Sequence, residues 1–185
     1  MGKLTVFNSI SLDGYFTDAQ NKMDFAKNAP QDTEWNDFVS GNAKGEGALV
    51  FGRVTYEMMV AFWTTPAAAE MMPKVAAGMN KMPKLVFSRT LTAAEWKNTR
   101  LIQSDLVGEI RKLKEGRENM VILGSGSVVA QLAPHKLIDE YQLVVCPTAI
   151  GKGRTLFQGV ETPIPLKLAS SRAFKNGNVV LTYTA

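Results

Sequence analysis

Short apolar runs alternate with helical patterns through the first two thirds of the chain. The run GALVFG at 47–52 is apolar throughout and contains β-branched and aromatic residues. Such a run is typical of a strand that is covered on both faces of a parallel sheet. The segment that follows it, 53–63, has the residue spacing of a helix. This alternation predicts strand–helix units and therefore an α/β fold.

The same patterns predict the other elements of this part of the chain. Strands are predicted at 3–12, 47–52, 84–88, 99–103 and 119–124. Helices are predicted at 31–42, 53–63, 66–83, 104–116 and 127–133, the third of them interrupted by proline. The helix at 31–42 has Asp32 or Thr33 as a plausible N-cap and Gly41 as a plausible stop.

The last third of the chain has a different character, because it holds strands with little helix between them. Apolar and β-branched residues predict strands at 140–148, 165–174 and 178–184. The Asn176-Gly177 pair between the last two is a strong signal for a hairpin turn. We therefore predict an α/β fold with a mostly parallel mixed sheet and an antiparallel C-terminal hairpin. Because we find no repeat and no linker, residues 1–185 are interpreted as a single domain.

Composition and charge disfavour several classes of protein. The chain has 185 residues, of which 45% are hydrophobic, and a formal net charge of +4 without a long basic block. Nucleic-acid partners are disfavoured, since they usually need a concentrated basic face. No segment approaches the ~18 consecutive apolar residues of a membrane span, and no signal peptide opens the chain. We expect a cytoplasmic protein with no membrane partner.

Cysteine and histidine each occur once. The single Cys146 excludes an internal disulfide, and its apolar surroundings predict a buried core thiol. The single His135 is interpreted as a loop residue. Because no acidic cluster has the spacing of metal ligands either, we expect no metal site.

The sequence VILGSGSVVAQL places two glycines where a predicted strand meets a predicted helix. Gly124 and Gly126 permit a tight turn and the close approach of a ligand, and the helix N-terminus suits a pyrophosphate. Ser125 and Ser127 offer hydroxyl donors. A plain strand–helix connection is the alternative interpretation. A standard Rossmann site is disfavoured, because Val129 stands where that pattern needs a third glycine or alanine.

Two further strand–helix junctions carry arginines. Gly52, Arg53 and Thr55 lie at the end of one predicted strand, and a second such strand is followed by Ser88 and Arg89. Ligands gather at the carboxyl ends of parallel strands, so the three junctions are expected at one rim. Guanidinium groups match the geometry of phosphate. Each arginine alone is better interpreted as a solvated residue beyond a strand, but together the junctions favour an anionic nucleotide.

The order of these motifs resembles the dihydrofolate reductase-like superfamily. The motifs are SISLDGYF, ALVFGRVTYE, LVFSRTL, VILGSGSVVAQL and LIDEYQLVVCPTAIGKGRTLF, followed by the final hairpin. The resemblance is closer to the branch that contains the C-terminal reductase domain of the riboflavin-biosynthesis protein RibD and small stand-alone bacterial proteins. It implies a three-layer α/β/α fold, NADPH as the cofactor and a homodimer.

The resemblance also implies roles for the three junctions. Ser88 and Arg89 are implied to lie near the adenosine 2′-phosphate, the group that distinguishes NADPH from NADH. An arginine at that position gives a preference for NADPH a physical cause. The implied cofactor-binding residues are Gly52, Arg53, Thr55, Ser88, Arg89, Gly124, Ser125, Gly126, Ser127 and Val128.

Candidate catalytic and substrate-binding residues follow from the same resemblance. Asp13 and Gly14 of the SLDG motif are implied to lie near the nicotinamide and the substrate, where Asp13 orients a heterocycle or helps a proton to reach it. A turn aspartate is the alternative. Asp37 lies on the helix that carries a pterin-binding acidic residue in dihydrofolate reductases, with simple solvent exposure as the alternative. Gly153 and Arg154 of GKGRTLF are implied to approach the substrate, or to form a structural turn.

Taken together, the motifs predict an NADPH-dependent reductase that transfers hydride to a small heterocyclic substrate of the aminouracil or pterin type. The alternative is a nucleotide-binding module that keeps the fold without turnover. A purely structural or oligomerising domain would bind no nucleotide, and the three coordinated junctions disfavour it.

Overall fold

The described strands form one large sheet and one small sheet. The computed structural model describes residues 1–26, 32–43 and 47–185. Its strands are β1 (Leu4–Ser11), β2 (Tyr15–Asp18), β3 (Ala48–Gly52), β4 (Lys84–Phe87), β5 (Thr99–Ile102), β6 (Met120–Leu123), β7 (Glu140–Cys146), β8 (Gly153–Thr155), β9 (Lys167–Ala173) and β10 (Val179–Thr184). The large sheet has the order β5-β4-β3-β6-β1-β7-β10-β9. Its first six strands are parallel and β10 is antiparallel to both neighbours, which confirms the predicted mixed sheet and C-terminal hairpin.

The helices of the described residues lie where the sequence pattern predicts them. They are α1 (Thr33–Asn42), α2 (Arg53–Trp63), α3 (Pro66–Met71), α4 (Pro73–Lys81), α5 (Leu106–Glu115) and α6 (Gly126–Leu132). The proline-interrupted stretch divides at Pro73, which occupies the first position of α4. Asp32 is the N-cap of α1, where its carboxylate accepts a hydrogen bond from the Trp35 N–H at 3.0 Å. Gln31, at which we predict the start of this helix, lies outside the described residues.

The central strands are covered on both faces, as their apolar runs predict. Val50 and Phe51 of β3 are fully buried. Val50 packs toward α5 and α6 in a cluster with Ile110 and Leu132, whereas Phe51 packs toward α2 and α4 in a cluster with Tyr56. Burying a side chain of this size contributes about 2 kcal/mol. The carboxyl ends of these strands are therefore held in place by two helical layers.

The lone cysteine and histidine have different environments. Cys146, the last residue of β7, is fully buried, which confirms the predicted core thiol, and burial raises its pKa to about 11. His135 is exposed at the end of a short 3-10 turn. Within residues 1–26, 32–43 and 47–185, no helix has the length and apolar character needed to cross a bilayer. The same ranges contain no group of three acidic, cysteine or histidine side chains arranged to hold a metal ion.

A small antiparallel sheet, formed by β2 and β8, is absent from the sequence-based prediction. Gly153, which we interpret from the sequence as a loop residue, instead begins β8 and pairs with Asp18. A Cβ at Gly153 would overlap the carbonyl group of Thr17, so this pairing requires glycine. We call residues 15–23 and 153–155 the flap, which begins where β1 ends.

Candidate nucleotide site at the strand ends

A cavity of about 470 Å³ lies at the carboxyl ends of the parallel strands. Its wall is built by residues that follow β3, β4, β5 and β6, which are neighbours in the large sheet. The structure thus brings the three predicted junctions together, as a parallel sheet requires. Their binding of a cofactor stays a prediction. The predicted cofactor-binding residues in this wall are Gly52, Arg53, Thr55, Ser88, Arg89, Gly124, Ser125, Gly126, Ser127 and Val128.

The first junction presents the start of α2 to the cavity. Gly52 is the N-cap of this helix and has no side chain, so no side-chain oxygen caps the first N–H groups of α2. The N–H of Gly52 donates to Ser125 Oγ at 2.9 Å, which fastens the end of β3 to the neighbouring junction. Because a helix N-terminus carries partial positive charge, this part of the wall suits an anion.

The Gly-Ser-Gly turn at 124–126 is shaped by packing within the protein. Gly124 has a φ of +78°, which glycine adopts without strain. A Cβ at Gly124 would lie 3.1 Å from Thr55 Cγ2, and a Cβ at Gly126 would overlap the Phe16 ring. The tight turn is confirmed. Its glycines are required by these internal contacts, in addition to the approach of a ligand that we predict from the sequence.

Two arginines follow the buried strands. Arg53 is about half-exposed, and its Nη1 donates to the two carboxylate oxygens of Glu57 at 3.1 and 3.0 Å. A guanidinium has five N–H donors, so this ion pair leaves others for a ligand. Arg89 follows β4, in a turn where Ser88 Oγ accepts a hydrogen bond from the Leu91 N–H at 3.0 Å. Both junctions therefore combine a fixed backbone with a charged side chain.

The charge of the wall favours an anionic ligand. Among the wall residues that the structure describes, three are arginines (Arg53, Arg89 and Arg154) and one, Asp105, carries a carboxylate. Asp105 is the N-cap of α5, and its Oδ2 accepts a hydrogen bond from the Gly108 N–H at 2.7 Å. A wall with three guanidinium groups and one engaged carboxylate attracts phosphate groups.

The flap forms the end of the cavity that is remote from Arg89, since β1 lies beyond β6 in the sheet order. Phe16 and Met23 of the flap line this end together with Met58 of α2. Thr17 is 8% exposed, and its Oγ1 has no hydrogen-bond partner among the described residues. A buried hydroxyl without a partner is costly, so Thr17 marks a place where a polar ligand atom is expected. These four residues are absent from the site predicted from the sequence.

Asp13 lies outside the cavity wall. Its carboxylate accepts hydrogen bonds from Ser11 Oγ at 2.6 Å, the Gly151 N–H at 2.7 Å and the Ile150 N–H at 3.1 Å. The Ser11 bond and then the Gly151 bond hold the pKa of Asp13 below its usual value. An ionised carboxylate with three donors is a poor proton donor. The geometry therefore favours the turn aspartate over the catalytic residue.

The other predicted catalytic and substrate-binding residues are not brought together. Asp37 is an exposed residue of α1 and does not line the cavity. Gly14, with a φ of +89°, belongs to the turn after β1, and Gly153 is taken up by the pairing of β8. Of this group, Arg154 lines the cavity.

Comparison with known proteins identifies the family. The family model of the RibD C-terminal domain matches residues 2–180. The chain belongs to the RibD C-terminal domain family. This membership confirms the resemblance stated from the sequence motifs. A curated relative, the uncharacterized protein YyaP of Bacillus subtilis (strain 168), is 23% identical over 176 residues, which cover 95% of this chain and 90% of that protein.

Solved structures share the fold of this RibD C-terminal domain. A putative riboflavin biosynthesis protein from Shewanella sp. PV-4 has a TM-score of 0.75 and 24% identity over 98% of both chains. A pyrimidine reductase-like protein from Corynebacterium diphtheriae has a TM-score of 0.61 and 13% identity, covering 99% of this chain and 91% of that chain. These similarities confirm the dihydrofolate reductase-like fold.

A third solved structure is longer than this chain. It is a diaminohydroxyphosphoribosylaminopyrimidine deaminase/5-amino-6-(5-phosphoribosylamino)uracil reductase from Thermotoga maritima. The TM-score is 0.69 at 16% identity, and the match covers 99% of this chain but 56% of that one. The RibD C-terminal domain described here therefore spans about half of a protein named for two activities.

Proposed function

We propose that the chain is an NADPH-dependent reductase that transfers hydride to a small heterocycle. The observation that carries the proposal is the cavity wall, in which Arg53 and Arg89 accompany the uncapped start of α2. Such a wall suits the phosphate groups of a dinucleotide. Membership of the RibD C-terminal family supports a reductase-type function.

The residues of the wall fit one orientation of NADPH along the cavity. Arg53, Ser88 and Arg89 would hold the 2′-phosphate, and the turn at 124–126 would hold the pyrophosphate together with the start of α2. The nicotinamide would then lie at the flap, where Thr17 Oγ1 lacks a partner. A carboxamide offers this hydroxyl both a donor and an acceptor, so the unpaired group finds a partner when NADPH is bound.

Bound NADPH supplies the hydride, while the chain positions the reactants and excludes water. Phe16, Met23 and Met58 provide the apolar surface at the flap end of the cavity. Asp105, the one carboxylate among the described wall residues, is engaged as the cap of α5. We therefore assign delivery of the proton to a water molecule rather than to Asp13.

Aminouracils and pterins are the two substrate classes of this proposal. The name of the Thermotoga maritima neighbour favours the aminouracil class. The exposed Arg154 at the flap end would meet an acidic group on such a substrate. A cytoplasmic homodimer completes the proposal, and analytical ultracentrifugation of the purified chain tests the dimer.

A binding titration followed by a turnover assay tests the proposed function. The purified chain is titrated with NADPH and with NADH, and binding is followed by nicotinamide fluorescence and thermal stability. A ligand that binds only the folded state raises stability, so NADPH is expected to raise the melting temperature more than NADH does. Oxidation of NADPH is then measured with a panel of aminouracils and pterins. Absence of binding by both nucleotides would reject the reductase.

A nucleotide-binding module without turnover is the second candidate. It is favoured by one observation, namely that no unengaged carboxylic acid lies in the described part of the cavity wall. Such a module would bind NADPH with the same selectivity and leave it unoxidised with every compound of the panel. Steady oxidation with any one heterocycle would exclude this candidate.

A further inference from the structure

The two strands of the flap start at points that are far apart in the sequence. β2 begins at Tyr15, directly after the turn that ends β1, and β8 begins at Gly153, after the loop that follows β7. Because β1 and β7 are parallel neighbours, with Ser11 opposite Cys146, both strands of the flap start at the same edge of the large sheet. The position of the flap thus depends on what joins these two starts.

A chain of hydrogen bonds joins them through Ser11 and Asp13. The N–H of Tyr15 donates to Ser11 Oγ at 3.0 Å, and this hydroxyl donates to Asp13 Oδ1 at 2.6 Å. Asp13 Oδ2 accepts a hydrogen bond from the Gly151 N–H at 2.7 Å, and the Ile150 N lies 3.1 Å from both carboxylate oxygens. Ser11 is fully buried, so water does not compete for its hydroxyl.

Both backbone segments adopt special conformations around this network. Gly14 has a φ of +89° and Gly151 a φ of +76°, values that favour glycine. The Leu12 N–H donates to the Thr148 carbonyl at 2.8 Å and adds a second link between the segments. Within this network, the Asp13 carboxylate is therefore the side chain that links the two segments. It reaches the start of β2 through Ser11 and bonds directly to the backbone of the 150–151 loop.

The network affects the shape of the cavity, because β2 and β8 each contribute a different part of the cavity wall. Thr17 comes from β2 and Arg154 from β8, and the two residues face each other in the antiparallel pair. Arg154 Nη1 also donates to Asn21 Oδ1 at 3.3 Å within the flap. Phe16 packs against Gly126 at the start of α6. A shift of either strand start would move these groups relative to the rest of the cavity.

We propose that Asp13 is a positioning residue, whose carboxylate fixes the flap and thereby the nicotinamide and substrate end of the cavity. The consequence for ligands rests on the proposed function, whereas the mechanical role of the network is measurable without any ligand. Asp13 acts through the flap. Loss of its carboxylate therefore weakens the binding of ligands that reach the flap. The binding of ligands that end at the arginines stays unchanged.

Two isosteric variants provide the test. Asp13→Asn removes the charge and leaves a single acceptor oxygen for the three groups that donate to the carboxylate, namely Ser11 Oγ and the Ile150 and Gly151 N–H groups. Asp18→Asn is the matched control, because Asp18 lies in the same flap and its Oδ1 accepts the Gln20 and Lys22 N–H groups within its own turn, each at 2.8 Å. Asparagine supports such turns as well as aspartate does.

Hydrogen exchange and a pair of ligands are the readouts. In Asp13→Asn, amides of 15–18 and 150–155 are expected to exchange about tenfold faster, while those of β3 and β4 keep their wild-type protection. The Kd of NADPH is expected to rise about tenfold, and that of adenosine 2′,5′-bisphosphate to stay within about twofold. Asp18→Asn is expected to match the wild type in its Kd for both ligands.

Two results would overturn the proposal: wild-type rates of amide exchange in the flap of Asp13→Asn, or an equal loss of affinity for both ligands. Ser11→Ala interrupts the same network at its other member and is expected to reproduce the ligand selectivity to a smaller extent. It replaces Asp13→Asn if that variant does not fold. If the wild type binds neither ligand, the proposed function fails, and the exchange comparison between Asp13→Asn and Asp18→Asn still decides whether Asp13 holds the flap.

Discussion

The two ends of the cavity differ in how the fold supports them. The rim, which we define as residues 52–55, 88–89 and 124–128, follows strands of a sheet that is covered on both faces. The flap pairs a four-residue strand with a three-residue strand and is held by the Asp13 network and by the packing of Phe16 on α6. We therefore expect the rim to share the stability of the whole domain and the flap to open at a lower free energy.

This difference matches the two tasks that the proposed function assigns to the cavity. The phosphate groups of a cofactor are constant, so preformed charges on a rigid wall reduce the entropy lost on binding. Substrates have to enter and products have to leave, which needs a segment that moves readily. If the comparison holds, substitutions in the sheet that carries the rim lower global stability, and substitutions at the flap lower ligand affinity.

Lys84 begins β4 at the end of the strand opposite the rim, and its loss is expected to have the largest effect on stability. Its fully buried Nζ donates to the carbonyls of Asn80, Met82 and Lys97 at 3.3, 2.8 and 3.1 Å and lies 4.4 Å from the centre of the Trp96 ring. Lys84→Met leaves these carbonyls without that donor. We expect the free energy of unfolding to fall by about 3 kcal/mol, as measured by denaturant titration.

The exposed Lys81 at the end of α4 provides the matched control. Lys81→Met removes the same charge without breaking a buried hydrogen bond, so its effect is expected to stay within about 0.5 kcal/mol. Equal losses in the two variants would contradict a stabilising role for the buried hydrogen bonds of Lys84.

Gly126 is the point at which the rim touches the flap. A Cβ at this position would overlap the Phe16 ring, so Gly126→Ala displaces Phe16 or strains the start of α6. We expect the free energy of unfolding to fall by about 1–2 kcal/mol and the Kd of NADPH to rise about tenfold. Differential scanning calorimetry and fluorescence titration measure the two effects.

Gly41→Ala is the control for this substitution. Gly41 is exposed on α1, and a Cβ there meets open space. Because alanine favours the helix, this variant is expected to gain about 0.5 kcal/mol. A destabilisation of the same size in both variants would contradict a specific contact between Gly126 and the flap.

The charge of Lys84 predicts how pH changes the stability of the large sheet. Burial lowers the pKa of Lys84 to about 8 from the ordinary value of 10.5. Between these values the unfolded chain binds more protons at this residue than the folded chain, so the contribution of Lys84 to stability rises with pH. The difference in unfolding free energy between wild type and Lys84→Met is expected to be larger at about pH 10 than at about pH 7. A smaller difference at the higher pH would contradict this sign.

Cys146 offers the smallest but most local signal, because it ends β7 directly before the loop that Asp13 holds. The thiol is fully buried, and burial raises its pKa to about 11. Labelling of the native protein with a disulfide reagent is therefore expected to be slow. Asp13→Asn is expected to accelerate it by loosening the loop, whereas Asp18→Asn is not. Equal labelling rates in the two variants would show that the accessibility of Cys146 does not depend on motion of the flap.

The rim was predictable from the sequence because an apolar run followed by helical periodicity is a strong signal for a strand–helix unit. GALVFG before Arg53 and VILGSGSV around Gly124 each mark a buried strand and the helix that follows it. A parallel sheet then requires these junctions to be neighbours. The residues gathered at the cavity therefore followed from local patterns and one rule of topology.

The flap was not predictable in the same way. β2 and β8 are too short to show an alternation, and their pairing joins residues more than a hundred positions apart. The β-forming residues that follow Gly14 were the available signal. Asp13 and Asp37 illustrate the same limit, since the partners of a carboxylate depend on tertiary contacts, such as the backbone of Gly151 for Asp13.

The central claim is that the arginines of the rim recognise a 2′-phosphate. Isothermal titration of NADPH and NADH into wild type, Arg53→Ala/Arg89→Ala and the exposed-surface control Arg111→Ala tests it directly. The double variant is expected to lose about 100-fold in NADPH affinity and less than about threefold in NADH affinity, because two charge-assisted hydrogen-bonding groups are removed from one phosphate. Arg111→Ala is expected to match the wild type. Equal losses for the two nucleotides in the double variant would contradict the claim.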